Sequence, residues 1–163
     1  MLWCHFESGL SRSFIVKIIK VNDRLSVGPQ PDMSDFNTLK AAGFDSVINN
    51  RPDGEEPTQP AAAEAAVVAE AAGLRYARQP IVLGAITEAD VRQFQKNLAR
   101  LDGPVFAHCK SGTRSLTLWT LGEVLDGRMQ ASEILPFGEQ HGVDLKVAAK
   151  WATDRSGASD GEK

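Results

Sequence analysis

A chain of 163 residues that is 42% hydrophobic and 24% charged has the length and composition of one soluble globular domain. Its net charge of −3 gives no basic surface for nucleic acid, and it has no dinucleotide-binding or Walker-type glycine loop. Two cysteines, Cys4 and Cys109, form neither a disulfide framework nor a metal-ligand spacing, so we predict no metal, no cofactor and a reducing, cytoplasmic setting.

Apolar segments alternate with turn-forming residues along the chain, which predicts strands that alternate with helices. The predicted strands cover 15–21, 25–27, 46–48 and 105–107, and residues 74–82 are predicted to form a further strand with its exit loop. Six helices are predicted. The first is capped by Asp32 or Ser34 and ends at Gly43, and the third is capped by Thr87 and ends at Gly103. The others cover 60–72, 114–125, 131–140 with a kink or early end at Pro136, and 143–151. This order predicts an α/β fold with a mainly parallel sheet of about four to five strands and helices on both faces. The predicted organisation is an extension at 1–14, a single domain at 15–153 and a flexible tail at 154–163.

The stretch from Pro104 to Ser115 is the one around which the other segments are arranged. An apolar strand ends at Cys109, a tight loop containing Gly112 follows, and Arg114 opens an apolar helix. Backbone N–H groups at a helix start lack helical acceptors, so they favour a bound anion and a thiolate. We therefore predict that Cys109 is a nucleophile and that Arg114 holds an oxyanion through its planar guanidinium. The alternative is that Cys109 is a small buried hydrophobic residue.

Further polar side chains have candidate roles that compete with ordinary structural ones. His108 either orients the cysteine loop or only bonds to nearby backbone. Arg51, in the turn-rich segment 49–57, either binds an anion or is a solvated cation, and Lys110 is most simply an exposed charge. Ser115 is placed to donate a hydrogen bond to the sulfur. Because the carboxyl ends of parallel strands meet at one edge of the sheet, we expect the two loops to line one pocket.

The chain resembles known proteins both in one short loop and over most of its length. Residues 108–115, which read HCKSGTRS, resemble the active-site loop of cysteine-dependent tyrosine and dual-specificity phosphatases. Residues 25–151 are similar to the phosphatase-like domain of beta-lactamase hydrolase-like proteins, notably at 47–55 and 79–87. The resemblance implies the cysteine-phosphatase fold, with a covalent intermediate on Cys109. The expected substrate-binding residues are Asn50, Arg51, Lys110, Ser111, Gly112, Thr113 and Ser115.

Two departures from the phosphatase pattern affect the expected chemistry. Four residues separate Cys109 from Arg114, one fewer than in the phosphatase motif, and this spacing resembles the loop of rhodanese-type sulfurtransferases, whose cysteine carries a persulfide. The stretch 80–86, which corresponds to the loop where dual-specificity phosphatases carry an aspartate as general acid, contains no acidic residue. The remaining candidate acids are the carboxylates of Asp53, Glu55, Glu56 and Asp90. Each of these also has an ordinary explanation as a turn, surface or capping residue.

Together these patterns predict a cysteine-dependent, phosphatase-like hydrolase that acts on a small phosphoester through a covalent intermediate on Cys109. The alternatives are sulfur transfer through a persulfide on Cys109 and non-catalytic binding of phosphate or sulfate. The expected partner is a small anion, either a phosphate or a sulfane-sulfur compound, or a phosphorylated protein. Neither nucleic acid nor a membrane is expected as a partner.

Overall fold

The computed structural model describes residues 16–159, so the predicted extension at 1–14 lies outside the described residues. Within this part of the chain the strands are β1 (Ile19–Lys20), β2 (Leu25–Gly28), β3 (Ser46–Asn49), β4 (Arg75–Arg78) and β5 (Val105–His108). The helices are α1 (Asp35–Ala41), α2 (Ala62–Ala71), α3 (Glu88–Arg100), α4 (Thr113–Leu125), α5 (Ile134–His141) and α6 (Lys146–Ser159). None of these helices has the length and hydrophobicity that a membrane span requires.

The five strands form one sheet in the order β1-β2-β5-β3-β4, with β1 antiparallel to β2 and the other neighbours parallel. This confirms the predicted mainly parallel α/β sheet. β5 is the central strand, and its last residue, His108, pairs with Gly28 of β2 and with Asn49 of β3. The loops that follow β2, β3 and β5 therefore leave the sheet side by side at one edge.

Helices cover both faces of β5, which explains why this strand is an uninterrupted apolar run. Val105 and Ala107 belong to the core cluster formed with α3, α4 and α6. Phe106 belongs to the cluster on the other face, where α1 and α2 pack, and its ring contacts Phe44 edge-to-face with centroids 5.8 Å apart. Burying one such side chain contributes about 1.5–3 kcal/mol, so the strand that ends at Cys109 is among the most firmly held parts of the domain.

The last helix is longer than the sequence indicates. α6 continues to Ser159, so the predicted helix end at Trp151 is wrong, and the helix extends into the segment 154–163 that was predicted as a flexible tail. The indole Nε1 of Trp151 donates to the carbonyl of Ile86 at 2.9 Å, which anchors the helix against the loop before α3. The polar residues that follow continue the same helix on the solvent side.

Two other segments can be compared with the prediction. β4 ends at Arg78, residues 79–82 form the exit loop that the prediction included with the strand, and a short 3-10 turn follows at Leu83–Ala85. Pro136 lies in the first turn of α5, where the N–H that proline lacks has no helical acceptor, so the helix begins at Ile134 without a kink.

Candidate active site

Cys109 directly follows β5 in the loop that leads into α4. Its side chain is 1% exposed, and its Sγ accepts a hydrogen bond from the backbone N–H of Gly112 at 3.1 Å. Gly112 has a φ of +97°, a left-handed conformation that turns the chain sharply from the strand into the helix. The structure therefore places the sulfur against a backbone donor at a helix start, where further N–H groups lack helical acceptors.

Two glycines let this loop approach the end of β2. A Cβ built on Gly112 would lie 3.2 Å from the backbone of Gly28, and a Cβ on Gly28 would lie 2.4 Å from the carbonyl oxygen of Lys17. One residue beyond Pro29, the backbone N–H of Gln30 donates to the carbonyl of Lys110 at 3.2 Å. The loop after β2 is therefore a third wall of the site, which the sequence analysis did not include.

His108 lies fully buried beside the ring of Phe106, with centroids 6.3 Å apart. Its Nδ1 is 3.3 Å from the carbonyl oxygen of Cys109, an arrangement in which the ring can only donate. Burial is the main reason that its pKa falls to about 4, so the imidazole is neutral at pH 7. His108 is thus placed to orient the loop, but it brings no positive charge to the sulfur.

Ser115 and Asn50 are both fully buried, and they connect the start of α4 to the loop after β3. The amide nitrogen of Asn50 donates to the carbonyl of Gln79 at 3.0 Å, which directs its Oδ1 toward Ser115. The Ser115 hydroxyl donates to that oxygen at 2.7 Å. The predicted hydrogen bond from Ser115 to the sulfur is therefore wrong, because its single proton is used elsewhere.

Arg114 reaches across the site to Glu55, 59 positions earlier in the chain. Its Nη1 is 2.7 Å from Glu55 Oε1, and its Nη2 donates to Oε2 at 3.0 Å, so the two groups form a bidentate ion pair. Nη1 also donates to the carbonyl of Ile81 at 3.2 Å. The hydrogen bond from Arg114 is the largest reason that the pKa of Glu55 falls below its usual range. Glu55 is therefore ionised in this arrangement and carries no proton to donate.

Arg51 lies behind these groups and is only 3% exposed. Its Nε donates to Glu55 at 2.9 Å and its Nη2 donates to Glu56 at 3.0 Å. Burial opposes the charge of Arg51, but the hydrogen bonds to both carboxylates outweigh it and raise the pKa of the guanidinium. Arg51 is thus paired with two protein carboxylates and is not a solvated cation.

The rim of the loop carries the remaining predicted binding residues. The Nζ of Lys110 is 2.5 Å from Glu56, and this contact is the largest reason that the pKa of Glu56 is lowered. The hydroxyls of Ser111 and Thr113 lie 3.1 Å apart. Positive and negative groups therefore alternate across the opening, from Arg114 at one end of the loop to Lys110 at the other.

Asp53 and Asp90, the other predicted candidates for a general acid, cap helices. Asp53 accepts from the backbone N–H of Ala62 at the start of α2 (2.8 Å) and from Arg78 (2.9 Å). Asp90 forms a reciprocal capping box with Thr87 at the start of α3. Both carboxylates are occupied as hydrogen-bond acceptors, so neither is placed as a proton donor to a group on Cys109.

Sequence reasoning missed the contributions of Gln30 and of the Ile81 carbonyl. A signal for Gln30 was present, because the Gly-Pro-Gln-Pro segment follows a strand whose carboxyl end must lie beside the cysteine loop. No such signal exists for a backbone carbonyl. Among residues 16–159, no group of three or more His, Cys, Asp or Glu side chains is arranged to hold a metal ion.

Comparison with known proteins identifies relatives over most of the chain. Residues 17–126 match the family model of the beta-lactamase hydrolase-like protein, phosphatase-like domain. The Beta-lactamase hydrolase-like protein of Agrobacterium fabrum (strain C58 / ATCC 33970) is 51% identical over 143 residues, which cover 88% of this chain and 33% of that protein. The chain therefore spans about a third of the length of the curated relatives it matches.

Solved structures share this fold, and some of them are described as phosphatases. A proposed phosphatase from Neisseria meningitidis z2491 superimposes with a TM-score of 0.77 at 30% identity, covering 84% of this chain and 96% of that one. P. aeruginosa TpbA, in a complex with pTyr, gives a TM-score of 0.60 at 18% identity, covering 84% and 83% of the two chains. At that identity the likeness of TpbA shows the fold alone. Taken with the family match over residues 17–126, these findings show that the chain belongs to the family of phosphatase-like domains of beta-lactamase hydrolase-like proteins.

Proposed function

We propose that this domain is a cysteine-dependent phosphatase-like hydrolase in which Cys109 forms a covalent intermediate with a small phosphoester. The observation that carries the proposal is the contact of the Cys109 sulfur with the Gly112 N–H at the start of α4, on a loop that also supplies Arg114. A thiolate there is stabilised by backbone donors, and the same donors and the guanidinium suit the oxygens of a phosphoryl group.

In the first step the Cys109 thiolate attacks phosphorus. A sulfur–phosphorus bond forms while the bond from phosphorus to the ester oxygen breaks, and the leaving oxygen takes the bonding electron pair. In the second step a water oxygen attacks phosphorus, the sulfur–phosphorus bond breaks and its electron pair restores the thiolate, and the protons of the water leave on the inorganic phosphate product. Arg114 and the backbone N–H groups of the loop stabilise the charge on the equatorial oxygens in both steps.

The leaving group must depart without a protein proton donor. Glu55 is ionised and paired with Arg114, Glu56 is paired with Lys110 and Asp53 caps α2, so no carboxyl group of the loop 49–57 is free to donate a proton. We therefore expect aryl phosphates, whose oxygens leave readily as anions, to be turned over faster than alkyl phosphates by about 10²-fold or more. Proteins of the same fold are seen with pTyr (TpbA) and with PI(5)P (PTPMT1), which supports a phosphorylated substrate without favouring one class of ester.

Sulfur transfer is the second candidate, favoured by the four-residue spacing between Cys109 and Arg114. In that reaction the thiolate attacks the outer sulfur of thiosulfate, a new sulfur–sulfur bond forms, and sulfite leaves with the electrons of the old one. Because sulfite departs as an anion, the step needs no general acid. Either chemistry requires a reduced thiol, so we also propose a reducing compartment such as the cytoplasm.

Intact-mass analysis of the full chain decides between the candidates. The Cys4→Ser background leaves Cys109 as the single thiol. The protein is exposed separately to an aryl phosphate and to thiosulfate, and the reaction is stopped with denaturant. We expect a phosphoryl adduct that is absent after Cys109→Ser and faster turnover of aryl than of alkyl phosphate.

Other outcomes assign the site differently. An adduct of one sulfur atom from thiosulfate, with none from the aryl phosphate, overturns the hydrolase in favour of sulfur transfer. No adduct from either reagent, combined with phosphate binding that survives Cys109→Ser, identifies a non-catalytic phosphate- or sulfate-binding module. Equal turnover of aryl and alkyl phosphates contradicts the absence of a proton donor.

A further inference from the structure

The loop between β4 and α3 forms an apolar edge of the candidate site. No charged side chain occurs between Arg78 and Glu88, and residues 80–86 read PIVLGAI. By contrast, the loop after β3 brings Glu55 and Glu56, which pair with arginine and lysine side chains of the cysteine loop and α4. Two surfaces of different chemistry, one charged and one apolar, therefore adjoin the anion loop.

The apolar loop reaches the anion loop through a direct hydrogen bond. The carbonyl of Ile81 accepts from Nη1 of Arg114 at 3.2 Å. Consecutive Cα atoms are about 3.8 Å apart, so Val82 lies one residue beyond this contact. The organic group of a phosphoester bound by Arg114 therefore has this loop as a neighbour.

The residues that this loop exposes are all apolar. Val82 is 65% exposed, and Gly84 and Ala85 are exposed beyond it. A Cβ built on Gly84 would have nothing within 4 Å, so the space in front of this glycine is open. Side chains here offer no hydrogen-bonding group, so a sugar or polyol packed against them would leave its hydroxyls unpaired. The loop therefore suits an apolar group such as an aromatic ring.

The loop is also fixed in place by the protein itself. The N–H of Ile81 donates to the carbonyl of Asn50 at 2.9 Å, and Leu83 packs against the main core. At the other end, the carbonyl of Ile86 accepts from the indole of Trp151 at 2.9 Å. A surface that is already ordered loses little conformational freedom when a ligand packs on it.

We infer that Val82 is a specificity-determining residue that packs against an aromatic group carried by the substrate phosphate. The inference rests on the proposed function, because it requires that the loop of Cys109 and Arg114 binds a phosphoester. It narrows the substrate class to phosphoesters of apolar, ring-containing alcohols. The rival explanation is that Val82 is an isolated surface valine, of the kind that folded proteins commonly expose.

Titration of the full chain with two phosphonates tests the inference without turnover, because their carbon–phosphorus bond is not hydrolysed. Benzylphosphonate carries an aromatic ring, whereas methylphosphonate presents the same anion with a single methyl group. We expect benzylphosphonate to bind the wild type about tenfold more tightly. It should also shift the methyl resonances of Val82, assigned through the backbone, and methylphosphonate should not.

Val82→Thr keeps the shape of the side chain and replaces one methyl group by a hydroxyl. We expect it to weaken benzylphosphonate binding by about fourfold, the effect of losing one buried methyl contact, and to leave methylphosphonate binding unchanged. Val67→Thr is the matched control, because Val67 lies within α2 and is 68% exposed. It should change neither affinity.

Three results overturn the inference. They are equal affinity of the wild type for the two phosphonates, equal effects of Val82→Thr and Val67→Thr, and Val82 methyl resonances that do not respond to benzylphosphonate. The first and third are measured on the wild-type protein, so they decide the question even if Val82→Thr fails to fold.

The test also separates this inference from the proposed activity. Binding of benzylphosphonate that depends on Val82, without turnover of an aryl phosphate, sinks the activity and leaves the role of Val82 intact. Turnover of aryl phosphates that Val82→Thr and Val67→Thr affect equally sinks the role of Val82 alone. A wild-type protein that binds neither phosphonate and turns over no aryl phosphate sinks both.

Discussion

Ser115 in α4 donates its hydroxyl proton to Asn50 in the loop after β3, across 2.7 Å and with both side chains fully buried. The bond joins the helix that begins at the candidate anion loop to the loop that carries Glu55. Since Asn50 also donates to the carbonyl of Gln79, one buried amide connects three segments around the site.

Removing the Ser115 hydroxyl should therefore be costly. Ser115→Ala leaves the Asn50 oxygen buried without a donor, and we expect the free energy of unfolding in urea to fall by about 1–3 kcal/mol. Thr117→Val is the control on the same helix, because the buried hydroxyl of Thr117 has no partner in the described chain and its loss should cost nothing. Equal losses in the two variants contradict a specific role for the Ser115 bond.

The buried His108 should make stability depend on pH. Its pKa is about 4 in the folded protein and near 6.5 when exposed, so the unfolded chain binds a proton in this interval that the folded protein does not. Stability is therefore fully present above pH 6.5 and declines as the pH falls toward 4, by about 3 kcal/mol in total.

Urea unfolding of the wild type and of His108→Asn across this pH range measures the effect. Asparagine can place an amide nitrogen near the position of Nδ1 and has no proton to gain. We expect the variant to lose most of the slope above pH 5 while carboxylates still account for the steeper decline at lower pH. The same slope in both proteins shows that His108 is not the group responsible.

Gly112→Ala should impair the site more than it impairs the fold. The left-handed φ costs a non-glycine residue about 1–2 kcal/mol, and the new methyl group also meets the backbone of Gly28 at 3.2 Å. Gly43 has the same φ of +97° with nothing within 4 Å, so Gly43→Ala isolates the backbone strain. We expect a loss in unfolding free energy in both variants, larger in Gly112→Ala because of the added contact, and a loss of phosphate binding only in Gly112→Ala. Retained binding in Gly112→Ala means that the close approach of the two loops is dispensable.

Asp53→Ala should lower stability and leave catalysis nearly intact. Loss of the cap on α2 is expected to cost about 0.5–2 kcal/mol, as is loss of the capping box of α3 in Asp90→Ala. Turnover of an aryl phosphate should fall by less than about tenfold in either variant, whereas loss of a general acid costs about 10²–10⁴ in rate. A drop of that larger size in one variant, with loss of one limb of its pH profile, identifies that residue as the acid after all.

The parts of the site that were predictable are those contained in one continuous segment. The strand, the cysteine, the glycine and the helix start follow one another between residues 105 and 125, so local periodicity and turn chemistry are enough to order them. The capping box of Thr87 and Asp90 was predictable for the same reason. The mainly parallel character of the sheet follows from the alternation of strands and helices.

Contacts between residues far apart in the sequence were not predictable in this way. The pairing of Glu55 with Arg114 depends on where two loops leave the sheet. The sequence alone does not distinguish which candidate carboxylate pairs with the arginine and which is left to act as an acid. The contact of Gly28 with Gly112 has the same origin. The length of α6 was underestimated because its polar second half shows no helical periodicity of apolar residues. Packing of its first half is nevertheless enough to extend the helix.

Trp151 also defines how much of the chain this domain needs. The segment from Ile81 to Ile86 is tied at one end to Arg114 and at the other to the indole of Trp151. That indole belongs to α6, which lies beyond the residues 17–126 that match the family model, and the neighbouring Ala152 is buried in the main core. We therefore expect the smallest unit that folds with its anion loop supported to be longer than the segment by which the family is recognised.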